Sequence, residues 1–118
     1  MGITNATLKM KNPADPSRIF EGIFLVDTGA QYSVLPRRVW EQLGLKPQRT
    51  QKFSLADGTV IERPIGSAFV EFKDVESATQ VVLGEEGDSA ILGVVTLETF
   101  GLVMNPFTRE LLPAHLML

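Results

Sequence analysis

Apolar and polar positions alternate along most of this chain in short runs, the period of a half-buried β-strand. Ile3 to Met10 alternates loosely and reads as a strand, closed by Asn12-Pro13 and an Asp15-Pro16 turn. Ile19 to Val26 is denser in apolar and β-branched residues and stops at Asp27-Thr28-Gly29, so a buried strand emptying into a tight turn is expected. Gln31 to Leu35 is extended again. Pro36 suits the first position of a helix, Val39, Trp40 and Leu43 give it a short apolar face, and Gly44 makes a C-terminal stop. Lys52 to Ala56 and Thr59 to Ile65 flank Asp57-Gly58, a strong hairpin signal. Ser67 to Phe72 and Gln80 to Leu83 are further strands, the latter leading into the acidic loop Gly84 to Asp88. Ala90-Ile91-Leu92 is a short apolar strand meeting Gly93, and Val94 to Phe100 has the length of a short helix with Gly101 past its end. Leu102 to Met104, Asn105-Pro106 and Glu110 to Leu112 suggest a closing hairpin, and the tail Ala114 to Leu118 is apolar.

Many short strands with one or two short helices predict an all-β, barrel-like domain rather than a βαβ fold. With 118 residues the chain suits one domain, residues 1–118. Hydrophobic residues at 44% and charged residues at 21% are an ordinary globular balance. So small a domain leaves much of its surface wet, which makes oligomerisation a reasonable source of stability. A net charge of −3 leaves no basic footprint for nucleic acid or an anionic membrane surface. The chain has no cysteine, and His115 is its one histidine, which removes thiolate metal sites, cysteine nucleophiles and most Ser-His-Asp readings. The opening Met-Gly-Ile-Thr-Asn-Ala lacks a basic region before an apolar stretch, and no run approaches the roughly 18–20 apolar residues that span a bilayer. A cytoplasmic location is the default expectation.

Candidate chemistry concentrates at Phe24-Leu25-Val26-Asp27-Thr28-Gly29-Ala30. A carboxylate ending a buried apolar strand is costly unless something satisfies it. Gly29 permits a backbone path that brings amide groups to the carboxylate, and the Thr28 hydroxyl can bond across the turn. An ordinary turn after a strand is the alternative, because Asp-Thr-Gly also arises by chance. Downstream, Ala90-Ile91-Leu92-Gly93 is a second apolar strand ending in glycine before a helix. Two such strands crossing would pin the carboxylate turn from both sides.

Asp27-Thr28-Gly29-Ala30 followed by Ile91-Leu92-Gly93 resembles the retropepsin pattern, a D-T-G-A turn and an apolar-apolar-Gly motif before a C-terminal helix. DTGAQYSVLP from Asp27 to Pro36, the helix end from Trp40 to Leu45, Leu55-Ala56-Asp57-Gly58, and ILGVVTLETFGLVMNP from Ile91 to Pro106 are similar to bacterial single-domain, retroviral-type aspartic peptidases of clan AA. The likeness covers most of the chain in the same order. Asn105 departs from it where an acidic residue is expected, and Glu85-Glu86-Gly87-Asp88 matches no motif.

The resemblance implies a closed retropepsin-like β-barrel, one lobe per chain, and an aspartic endopeptidase active as a homodimer. One D-T-G per chain means that Asp27 would meet Asp27 of a second copy across a two-fold axis. The pair would share one proton, activate water and cleave an extended peptide, with no cofactor and no metal. Thr28 would bond across the dimer, and Gly29 would offer backbone groups to substrate. Ala30 has no hydroxyl to favour the charged carboxylate, so a weakly acidic optimum is expected rather than one near pH 2. The Asp57-Gly58 hairpin becomes a candidate flap, with Gly58 and Gly66 as hinges around Thr59 to Ile65, and Val60, Ile61 and Ile65 touching the peptide; an ordinary surface hairpin is its alternative. Leu116-Met117-Leu118 would join a shared terminal sheet or fold onto its own core. Trp40 and the helix at Val94 to Phe100 read as core packing. A catalytically inactive dimerisation or peptide-binding module is the competing function, and an unrelated small β-barrel binding domain is a third.

Overall fold

A computed structural model describes residues 4–115, 117 and 118. Strands β1 (Asn5–Asn12) and β2 (Asp15–Val26) form an antiparallel hairpin. Alternation in β1 turns Ala6, Leu8 and Met10 inward and Thr7, Lys9 and Lys11 outward, as a two-residue period requires. The buried Asn12 closes the hairpin: its Nδ2 donates to Leu43 O at 2.8 Å, and its Oδ1 accepts from Ala14 N at 2.8 Å. β2 begins four residues before the predicted Ile19. Pro16 is tolerated there because the pairing jumps from Lys11↔Ile19 to Asn12↔Asp15 and leaves it outside the ladder.

After β2 come β3 (Ser33–Leu35) and α1 (Arg37–Leu43). Pro36 caps α1 rather than opening it, with ψ of 158° and its carbonyl accepting from Val39 and Trp40. Gly44 ends the helix at φ 71°, the left-handed conformation expected of a C-terminal glycine. Trp40 packs against the core and donates Nε1–H to Gly84 O at 2.9 Å.

β4 (Arg49–Ser54), β5 (Val60–Phe72) and β6 (Val75–Leu83) form an antiparallel meander. The two strands predicted at Thr59 to Ile65 and Ser67 to Phe72 are one strand of 13 residues. Pro64 does not break it, because β5 there borders β4 alone and its pairing with β6 starts only at Ile65. β6 is longer than its predicted Gln80 to Leu83, because Lys73 and Asp74 turn the chain at φ 49° and 66°. Positive φ at both loop residues is the hairpin geometry that suits strand twist, but Lys-Asp does not advertise it.

β7 (Ile91–Leu92), α2 (Val94–Thr99), β8 (Leu102–Met104) and β9 (Leu111–Pro113) complete the chain. The sheet runs β1-β2-β7-β3-β6-β5-β4, and β1 also pairs with β5 through Lys9↔Glu71 to Lys11↔Phe69. Six strands thus close on themselves in an all-β barrel, and β4 with the first half of β5 projects as an arm. Phe24, Leu8, Met10, Leu35 and Leu83 fill the interior. Each such burial contributes about 1.5–3 kcal/mol. The β8–β9 hairpin covers one end of this core with Leu102, Met104 and Leu111. Met117 and Leu118 are exposed, whereas Ile3 and Leu116 lie outside the described residues. No described helix is long and apolar enough to cross a membrane.

Candidate active site

The end of β2 is held from both sides. Leu25 and Val26 pair in parallel with Ile91 and Leu92 of β7. Asp27 N–H donates to Leu92 O at 3.1 Å, and Val26 N–H to Thr4 O at 2.8 Å. The chain then turns, with Ala30 N–H on Asp27 O at 3.1 Å and Gly29 N–H on Asp27 Oδ1 at 2.9 Å. The half-buried carboxylate therefore accepts from the backbone two residues on. A β-carbon at Gly29 would lie 3.2 Å from that same oxygen, so the residue that donates is also one with no room to spare. Thr28 is exposed at the turn, and among the described residues its hydroxyl has no hydrogen-bond partner.

β7 and α2 fix the far side of the turn. At Gly93 a β-carbon would stand 2.4 Å from the carbonyl carbon of Tyr32 and 2.5 Å from its oxygen. Only glycine lets the two backbones cross this closely. The first free N–H groups of α2 then find acceptors in the turn segment: Val94 N–H on Ala30 O and Val95 N–H on Gln31 O, both at 2.9 Å. Ile91, Leu92 and Gly93 thus hold the carboxylate turn from its far side.

A buried chain of hydroxyls escaped the sequence reading. Ser33 Oγ accepts from Gly93 N–H at 3.0 Å and lies 2.6 Å from Thr96 Oγ1, which is 3.0 Å from Thr79 Oγ1. All three residues are buried, and the chain ties β3, α2 and β6 together under the turn. In the sequence these hydroxyls are indistinguishable from solvent-facing ones until pairing is known.

A cleft of about 650 Å³ opens beside the turn, bounded by Gly29, Ala30, Val34 and Ile91, by the arm residues Phe53 and Ile61, and by the loop residue Asp88. Tyr32 and Phe53, also unforeseen, meet edge to face across it at 5.9 Å and 87°. Arg49 Nη2 steadies the Tyr32 hydroxyl at 3.3 Å. At the arm's tip Leu55 N–H donates to Thr59 O at 2.7 Å, and Gly58 adopts φ 87°. Thr59 N–H donates to Asp57 Oδ1 at 2.8 Å. Hydrogen bonds from the Thr59 hydroxyl, and secondarily its N–H, hold the Asp57 carboxyl below the ordinary range.

The predicted flap residues divide. Gly58 and Thr59 form the tip and Ile61 faces the cleft, but Val60 alternates to the outside and is 58% exposed. Ile65, 1% exposed, belongs to the barrel wall rather than the cleft. Gly66 is no hinge either: it pairs with Val81 inside continuous β5, where a β-carbon would press on Lys46 O at 3.2 Å. His115 is exposed on the tail, and among the described residues no three His, Cys, Asp or Glu side chains cluster as a metal site.

Residues 21–99 match the family described as "gag-polyprotein putative aspartyl protease". No curated protein matches the chain. Among solved structures, EIAV protease complexed with the inhibitor HBY-793 is similar in fold, with a TM-score of 0.57 over 99% of this chain and 94% of that one. Identity between the two is 19%, so the likeness speaks for the fold. With the family match running from β2 through α2, across the Asp27 turn, the arm and the Gly93 crossing, the chain belongs to the retroviral-type, gag-polyprotein aspartyl protease family.

Proposed function

We propose that this protein is an aspartic endopeptidase that works as a homodimer, each copy giving Asp27 to one catalytic pair. The observation that carries the reading is the clamped turn: half-buried Asp27, its backbone N–H on Leu92 O and its carboxylate accepting from Gly29 N–H, beside a cleft under a hairpin arm. The chain has a single D-T-G. A second copy related by a two-fold axis supplies the other carboxylate. Two carboxyl groups about 3 Å apart cannot both ionise, so the pair holds one proton. The ionised member takes a proton from water, which attacks the scissile carbonyl carbon. The protonated member donates to the carbonyl oxygen and, as the tetrahedral species collapses, a proton passes to the leaving amine.

Thr28, exposed and without a hydrogen-bond partner among the described residues, would bond across the axis. Extended substrate adds as a strand between the arm and the turn, its apolar side chains against Ile61, Val34 and Ile91. The reaction needs no cofactor. The test is cleavage of a diverse peptide library between pH 4 and 7, with Asp27→Asn alongside. Cleavage that vanishes in the variant is the expected result. If both proteins are silent yet dimeric by sedimentation, a peptide-binding module replaces the enzyme, and equal cleavage by both moves the site elsewhere.

A further inference from the structure

Arg63 brings a cation into the cleft lining. Alternation along β5 sets Ile61, Arg63 and Ile65 on one face. Ile61 lines the cleft and Ile65 is buried, so the guanidinium between them lies at the inner end of the arm, where it too lines the cleft. Its side chain is 28% exposed. A guanidinium offers five N–H donors. Among the described residues Arg63 makes one hydrogen bond, from Nη1 to the carbonyl of its neighbour Glu62 at 3.0 Å. Glu85 Oε1 stands 3.9 Å from Arg63 Nη1, an ion pair but one beyond hydrogen-bond reach. The other oxygen of Glu85 is engaged by Arg37 Nη2 at 3.1 Å, so that carboxylate is already matched. Asp88, the acidic residue of the cleft lining, spends Oδ2 on Glu85 N–H at 2.8 Å and makes no ion pair with Arg63 among the described residues.

We infer that Arg63 is a specificity-determining residue that selects peptides carrying an Asp or Glu side chain near the bond to be cut. The inference rests on the reading of this cleft as a peptide site. A substrate carboxylate would take the unused donors in bidentate fashion, and partial burial keeps the pair from full solvent screening. A cationic side chain would have to be held by Asp88, whose carboxylate is committed to its own loop. In a two-fold dimer Arg63 occurs twice, so the favoured acidic positions fall at equal distances on either side of the scissile bond.

The test compares apolar peptides carrying one Glu, or Gln as its isostere, at each position in turn. Their binding to the Asp27→Asn protein is read by fluorescence anisotropy, which needs no turnover. Glu peptides are expected to bind about tenfold more tightly than Gln peptides at the favoured positions, with the ratio shrinking as salt rises. In Arg63→Gln the ratio should fall towards one, Arg63→Lys should keep part of it, and Arg63→Glu should turn the preference to Lys peptides. Should the variants fail to fold, the ratio and its salt dependence in the otherwise unchanged Asp27→Asn protein decide alone. Equal affinities, tighter binding of Gln or Lys peptides, or no binding of either pool overturns the inference. Native protein that cleaves without discriminating Glu from Gln sinks the inference and leaves the endopeptidase standing. Discrimination without native cleavage does the reverse.

Discussion

Ala30 lines the cleft one residue after Gly29, with its N–H on the Asp27 carbonyl and its carbonyl on Val94 N–H. Its backbone is fully used, and its methyl donates nothing to the carboxylate. A serine hydroxyl at this position would favour the charged form of the proposed catalytic pair. Ala30→Ser should therefore move the acid limb of a peptide-cleavage pH profile downward, on the order of one pH unit. An unmoved limb would show that position 30 does not reach the carboxylate. Asp27 stood out in the sequence as a charge after an apolar strand, and Gly93 as a glycine ending a second apolar strand before a helix. Ser33, Thr79 and Thr96 did not stand out. Their bonds join residues 63 and 17 positions apart, and a hydroxyl in a strand looks the same whether it faces water or a buried neighbour.

The arm is an element whose tip depends on one ionised side chain. Asp57 accepts from the Thr59 hydroxyl and N–H, which lowers its folded value below the ordinary one. A depressed carboxyl contributes its stabilisation above the unfolded value and loses it as pH falls through the folded value. Hydrogen-exchange protection at Thr59 N–H should accordingly drop on acidification below the usual carboxylate range. In Asp57→Asn, whose amide oxygen accepts at any pH, the profile should be flat, and parallel profiles would remove Asp57 from the account. The hairpin signal at Asp57-Gly58 gave this tip correctly, but the same logic split β5 at Gly66. Propensity penalises glycine in a strand, yet it cannot see that Gly66 abuts Lys46 O. The Lys73-Asp74 turn shows the opposite failure, a tight hairpin without the glycine or asparagine that usually marks one. Asp74 sits at φ 66°, where glycine costs less. Asp74→Gly should raise urea-unfolding stability by about 0.5–1 kcal/mol. Lys73 is better kept, since its ammonium lies 5.3 Å from the Phe72 ring centroid. A loss of stability would mean that the turn relies on the Asp side chain.

At the scale of the whole molecule, barrel closure bears on the proposal that two copies share one site. Pairing β1 with β5 uses up the edges of the ring, so the Asp27 turn is held rigidly at its rim with the cleft on one side. That closure joins Lys9 to Glu71 and could not be read from alternation, which specifies faces but not partners. The proposed site shared between two copies makes a quantitative demand. When native protein is mixed with Asp27→Asn and allowed to exchange subunits, a dimer is active only if both members are native. Activity at constant total protein should then follow the square of the native fraction, about a quarter at equal mixing rather than a half. Dilution towards the dissociation constant should depress specific activity in the same preparations. A linear mixing curve would mean that each chain cleaves on its own, and the two-fold site would have to be abandoned even if Asp27 proved essential. A square law with intact dimers in both parents would assign the missing carboxylate to the partner copy, because no other arrangement makes an inactive chain silence a native one.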